Sequence, residues 1–218
     1  MRYLNLYAGY GGNRKLLPDW VRVTAVENNP EIAAVYSSLY PDDTVIVTDA
    51  KDFLLANHKG YDFIWASPPC QKNTRLSVTG RHYRPQYPDL SVYELVIFLS
   101  QFFKGYWVVE NVEPYYKCLI RPQVIGRHFF WANFIIPGFN PPVGPRSVDR
   151  MTYKQLKEYL GIDIQSGPLT NKHGHSEQYL RNAVHPEIGR VIFASRDRYQ
   201  TKLILEGGVF QWERPPQL

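Results

Sequence analysis

Residues 3–12 read Tyr-Leu-Asn-Leu-Tyr-Ala-Gly-Tyr-Gly-Gly, a short apolar and aromatic run that breaks on three glycines. The run suits a strand, and the glycines let the backbone turn sharply and approach a ligand closely. Working outward, Val21–Val26, Thr44–Val47, Asp62–Ala66 and Tyr106–Val109 are further short apolar runs, each a candidate strand, with Phe129–Ile136 a sixth. Between them lie stretches of helical character. Asn29 reads as a helix cap with Pro30 at the first helical position, and Leu90–Phe103 carries apolar residues at helical spacing. Strands alternating with helices predict an α/β, Rossmann-like chain: a mainly parallel sheet flanked by helices.

From Pro137 the texture changes. Pro137, Pro141, Pro142 and Pro145 rule out continuous helix or central strand, a short helix over Thr152–Leu160 follows, and residues 161–178 are polar. Asn182–Ser195 then reads as a strand or turn entering a helix at Pro186. The expected organisation is one main domain, 1–136 plus 179–218, carrying a small insert over 137–178.

Composition narrows the class. The chain has 218 residues, 44% of them hydrophobic and 15% aromatic, enough to bury a full core. Its net charge of +5 is compatible with a polyanionic partner. Two cysteines, Cys70 and Cys118, offer no disulfide framework. No signal peptide or membrane span is recognised, and no metal is expected. A cytoplasmic monomer without membrane contact is the expectation.

Four constellations carry chemistry. The loop from Tyr7 to Gly12 follows the first strand, while Glu27 and Asp49 close the second and third. In an open parallel sheet, ligands bind beyond the carboxyl ends of the strands, and an acidic residue there accepts hydrogen bonds from ribose. A tight turn and two helix caps are the plainer alternative. Next, Ser67-Pro68-Pro69-Cys70-Gln71 follows the fourth strand, where two prolines fix the direction of the thiol; an incidental cysteine in a stiff turn is the alternative. Glu110-Asn111-Val112 follows the fifth strand, where a carboxyl can serve as proton donor, or simply be an exposed strand-end acid. Last, residues 71–88 contain Lys72, Arg75, Arg81 and Arg84 with no Asp or Glu, interleaved with aromatic rings. That suits contact with phosphates, or an ordinary solvated loop.

Together these pieces resemble the DNA cytosine-C5 methyltransferase family, in a compact form with a short target-recognition region. LYAGYGG looks like its cofactor loop, PPCQ its nucleophile motif and ENV its glutamate motif. Arg127 in IGRHFF looks like the arginine that contacts the target base, and Arg181-Asn182-Ala183-Val184 resembles its late asparagine motif. The resemblance implies a Rossmann-like S-adenosylmethionine-dependent methyltransferase fold. It implies that S-adenosylmethionine is held by Tyr7, Ala8, Gly9, Gly11, Glu27, Asn28, Asp49, Ala50, Pro69, Asn182 and Val184. Cys70, Glu110 and Arg127 would surround a cytosine flipped out of DNA, with RNA as the alternative substrate. The chain departs from the family pattern at Asn5, where aspartate is usual, at Ile125, where a further arginine is expected, and at Arg181, where glycine is expected. An amino-group methyltransferase leaves ENV unexplained, and a catalytically silent nucleic-acid-binding homologue leaves Cys70 and Glu110 unexplained.

Overall fold

A computed structural model describes residues 1–69, 89–145, 147–164, 175–197, 202–206 and 209–213. Cys70, Lys72, Arg75, Arg81 and Arg84 lie outside the described residues.

The strands are β1 (Arg2–Leu6), β2 (Arg22–Glu27), β3 (Thr44–Val47), β4 (Phe63–Ala66), β5 (Tyr106–Val112), β6 (Gln123–Ile125) and β7 (His128–Ala132). They form one sheet in the order β3-β2-β1-β4-β5-β7-β6. β1 to β5 run parallel, and β7 enters antiparallel between β5 and β6. This is the Rossmann-like arrangement expected from the sequence: a mainly parallel sheet flanked by helices. A separate hairpin, β8 (Lys202–Glu206) with β9 (Val209–Glu213), follows in the chain.

The α-helices among the described residues are α1 (Pro30–Leu39), α2 (Ala50–Asn57), α3 (Ser91–Phe102), α4 (Tyr153–Leu160), α5 (His175–Asn182) and α6 (Pro186–Ser195). Alternation along β1 divides them between the two faces. Leu4 and Leu6 pack with Leu54 of α2 and with Val92, Val96 and Leu99 of α3. Tyr3, on the opposite face, packs with Phe63, Trp65 and the α6 residues Ile188, Ile192 and Phe193. Because both faces are covered, central strands read as continuous apolar runs, and all four residues of β4 are buried.

The helix starts follow their sequences. Asn29 Oδ1 accepts from the N–H groups of Glu31 and Ile32, at 2.9 and 3.3 Å. Asp49 caps α2 and Thr152 caps α4 with a capping box.

Several boundaries differ from the sequence reading. β5 extends through Val112, so Glu110 lies inside a strand and is buried, 5% exposed. The sixth strand ends at Ala132 and is preceded by a three-residue partner, β6, too short for its pattern to register. Residues 175–182 are helical, whereas the sequence reads as polar up to 178 and as a strand or turn only from Asn182; α5 therefore crosses position 178.

The apolar face of α4 is buried in a cluster with Tyr10, Ile32 and Leu180, beside the glycine loop. No helix among the described residues is long and apolar enough to cross a membrane.

Candidate active site

A cleft of about 470 Å³ opens at the carboxyl ends of β1, β2, β4 and β5. Its volume lies within the roughly 300–1,000 Å³ usual for small-molecule sites. One half is built by the glycine loop. Gly9 and Gly11 have φ of +52° and +66°, and Tyr7 stands at +58°, a rare conformation for a bulky residue. Tyr7 is held there by its neighbours: Ala8 N–H donates to Val26 O at 3.0 Å and Gly11 N–H to Ala8 O at 2.9 Å. Burial, then the charge of Asp49, pushes the Tyr7 phenol up to about 12, so it stays neutral.

Glu27 fixes the loop from the end of β2. Its Oε2 accepts Gly9 N–H at 3.1 Å and its Oε1 accepts Asn29 N–H at 3.0 Å, and the residue is only 8% exposed. Under the loop, Arg14 grips Asp43 through two bonds of 2.6 and 2.7 Å, while Tyr36 donates to the same carboxylate at 2.8 Å. A Cβ on Gly11 would come within 2.5 Å of Tyr40 and 2.7 Å of Tyr36. A Cβ on Gly12 would sit 2.2 Å from Val184 O, so the late segment docks directly on the loop. Asn5 belongs to the same support. It is 1% exposed and its Oδ1 accepts Asn13 Nδ2–H at 2.9 Å, a neutral pair where an aspartate would bury a charge.

The other half of the cleft is built by β4, β5 and β7. Asn111 Nδ2 donates to Pro68 O at 3.1 Å, which latches the Pro-Pro turn to the strand carrying Glu110. Trp65 Nε1 donates to Ser67 Oγ at 2.9 Å, bracing the start of that turn. Glu110 Oε1 and His128 Nδ1 share a hydrogen bond of 2.7 Å, with both side chains 6% exposed. Arg127 is exposed at the β6–β7 turn and donates through Nη2 to Arg181 O at 2.6 Å.

Of the residues expected at a site, Tyr7, Ala8, Gly9, Gly11, Glu27, Asn28, Asp49, Pro69, Glu110, Arg127, Asn182 and Val184 all line this cleft. Ala50 does not: it packs in the core with Leu4 and Leu54. Asp49 lines the cleft while Oδ1 accepts the N–H groups of Lys51 and Asp52, so the cap and the site are one residue.

Sequence reasoning missed Asn111, His128 and Tyr179. Asn111 and His128 stand directly after Glu110 and Arg127, the residues that dominate their motifs. Tyr179 lines the cleft from α5, its ring 5.5 Å from that of Tyr10. Arg181, noted as a departure, donates to Met151 O at 2.8 Å and to Val148 O, and pairs with Glu177. It thus ties the late segment to the chain before α4. Among the described residues, no group of His, Cys, Asp and Glu is arranged to hold a metal ion.

No family model and no curated protein matches the chain. Solved structures similar to it include a hypothetical protein of Thermus thermophilus, at 18% identity and TM-score 0.41, over 60% of this chain and 73% of that one. Another is a Spodoptera frugiperda DNMT2 mutant, at 25% identity and TM-score 0.36, over 51% of this chain and 35% of that one. A third is a SAM-dependent methyltransferase of Agrobacterium tumefaciens, at 18% identity and TM-score 0.38, over 53% and 40%. With TM-scores below 0.5, these likenesses add nothing to what the strand order itself shows.

Proposed function

We propose that this chain transfers a methyl group from S-adenosylmethionine to C5 of cytosine in DNA, through a covalent bond between Cys70 and C6 of a flipped-out base. The observation that carries the reading is the Asn111–Pro68 bond. It joins the turn leading into Cys70 to the strand bearing Glu110, at the rim of a cleft whose other half offers carboxylates at two strand ends.

The cleft residues suit the cofactor. Glu27 keeps lone pairs beyond its two backbone bonds for ribose hydroxyls, Asp49 stands at the next strand end for the adenine amino group, and Asn182 and Val184 close the pocket. When bound, S-adenosylmethionine supplies the electrophilic methyl that C5 takes up. The rest falls to the chain. Cys70 thiolate adds to C6 and makes C5 enamine-like, while Glu110 gives a proton to N3 and Arg127 holds O2. After methylation, the C5 proton passes to water, the thiolate is expelled and N3 returns its proton to Glu110, which restores the aromatic ring. Extruding the base from a duplex costs a few kcal/mol, and the basic 71–88 stretch would grip the flanking phosphates.

Cys118 is unsuited to the nucleophile's role. It is half-buried, and burial pushes its thiol above the usual range, which lowers the thiolate fraction. The test is trapping with 5-fluorocytosine, whose C5 fluorine blocks elimination. Duplex DNA, single-stranded DNA and RNA carrying it are incubated with cofactor, and adducts are mapped by mass spectrometry. The expected result is a DNA adduct on Cys70, lost in Cys70→Ala and kept in Cys118→Ala. An adduct on Cys118 overturns the mechanism; an adduct formed with RNA alone overturns the substrate.

A further inference from the structure

We propose that His128 is a positioning residue for Glu110: its Nδ1–H fixes one carboxyl oxygen so that the other faces the base. This inference rests on the cytosine reading above.

The register explains how two distant residues meet. Glu110 on β5 pairs directly with Phe130 on β7, and Val112 pairs with His128. Glu110 and His128 therefore share one face of the sheet as diagonal neighbours, a spacing only long side chains span. They do span it, at 2.7 Å, with both side chains almost wholly buried. Two ionisable groups withdrawn from water are a costly way to fill such a space, since an apolar pair of like volume is often as stable or more so. The arrangement thus asks for a use beyond packing.

That use follows from the chemistry of the carboxyl. The terminal torsion of a glutamate is broad and roughly two-fold, so an untethered group turns either oxygen, or neither, toward its target. A bond at Oε1 sets the carboxyl plane and leaves Oε2 to serve N3. When Cys70 adds to C6, the Oε2 proton passes to N3. The carboxylate so formed keeps accepting Nδ1–H, which stabilises its charge. When the thiolate leaves, N3 returns the proton to the carboxyl, and His128 has neither gained nor lost one. The ring also lines a neighbouring cleft of about 280 Å³ with Arg127, Asp149, Tyr159 and His185, while Glu110 lines the larger one.

The experiment compares His128→Phe and His128→Asn with Glu110→Gln and with the double variant His128→Phe/Glu110→Gln. Single-turnover methyl transfer to cytosine-containing duplex DNA is measured beside calorimetric cofactor affinity. His128→Phe should slow transfer by about 10²-fold, the usual cost of a misplaced reacting group, and leave cofactor affinity unchanged. His128→Asn, whose amide places a donor near that of Nδ1, should recover most of the rate. The double variant should be no slower than Glu110→Gln, because both changes disable one unit. Parent-like transfer by His128→Phe overturns the inference. So do equal losses in the Phe and Asn variants accompanied by weakened cofactor binding, which would make His128 a structural residue. If the parent itself transfers no methyl to cytosine in any substrate, the function reading falls and takes this one with it. An active parent with an unaffected Phe variant sinks this one alone.

Discussion

The two halves of the cleft are built by different means. The half facing β1 to β3 is a matter of backbone: positive φ at Tyr7, Gly9 and Gly11, N–H groups aimed at Glu27, and a buried amide pair beneath. The half facing β4 to β7 is a matter of side chains: a buried Glu110–His128 pair, an Asn111 latch and an exposed arginine at a hairpin turn. A pocket that only binds needs a fixed shape. A pocket that moves protons also needs groups whose charge can change while their positions hold. On this comparison, damage to the second half should strike rate, and damage to the first should strike affinity and stability.

The largest break should come from Glu110→Gln. The amide fills the same space but cannot supply the proton, and positioned acid–base groups contribute about 10²–10⁴-fold. Single-turnover rates should fall by that order while calorimetric cofactor affinity stays near that of the parent. Matching losses in both would erase the distinction between the halves.

The two halves also differ in how far the sequence reveals them. Glu27, Asp49 and the glycines sit at strand ends, so local pattern alone assigns them to one rim of an open sheet. The Glu110–His128 pair depends on the register of an antiparallel strand that returns across a hairpin, and β6 is only three residues long. A shift of one residue would turn His128 to the opposite face, and no local pattern fixes that choice. Glu110 itself reads as a strand-end acid because apolar residues stop at Val109, although the hydrogen-bonded strand continues to Val112. Helix α5 escapes the sequence reading for a related reason. Its sequence, His-Ser-Glu-Gln-Tyr-Leu-Arg-Asn, is polar apart from two residues, and Leu180 buried against α4 and Tyr10 is what holds it.

On the cofactor side, Glu27→Ala should cost affinity. A charge-assisted hydrogen bond to ribose is worth roughly 1.5–3 kcal/mol, or about one to two decades in dissociation constant. The variant also releases Gly9 N–H and Asn29 N–H, so the loop loosens together with the contact. Titration calorimetry on the folded variant checks this, and an unchanged cofactor affinity would remove Glu27 from the site.

Gly11→Ala sharpens the comparison by disturbing shape without touching charge. The residue sits at φ +66°, and its new methyl would lie 2.5 Å from Tyr40 Cε2. Backbone strain of this kind costs about 1–3 kcal/mol. For a chain of this size each kcal/mol lowers Tm by roughly 2–4 °C. Melting in the presence and absence of cofactor should show a lower Tm in both and a smaller cofactor-induced rise. A parent-like melting curve would mean that Tyr36 and Tyr40 yield, and that the loop is less rigid than its contacts indicate.

The smallest effect concerns His185, which joins α4 to the start of α6. Its Nδ1 accepts Glu187 N–H at 3.1 Å, so the remaining ring proton lies on Nε2 and is donated to Tyr159 O at 2.9 Å. Both bonds are satisfied by the neutral ring. Burial holds its pKa below the ordinary 6.5, and the Tyr159 carbonyl offsets this only in part. As pH falls through about 6.5, the unfolded ring takes up a proton that the folded ring resists. The unfolded state then binds more protons, so stability falls with pH. His185→Asn preserves a capping oxygen and removes the titrating ring. The shorter Asn side chain does not reach Tyr159 O, so the variant should begin slightly less stable than the parent at about pH 8. Urea unfolding at about pH 8 and about pH 5 should show the two drawing closer at the lower pH, because only the parent carries this acid penalty. If the gap between them is the same at both pH values, His185 titrates alike in the folded and unfolded chains, and its two bonds do not hold the ring neutral.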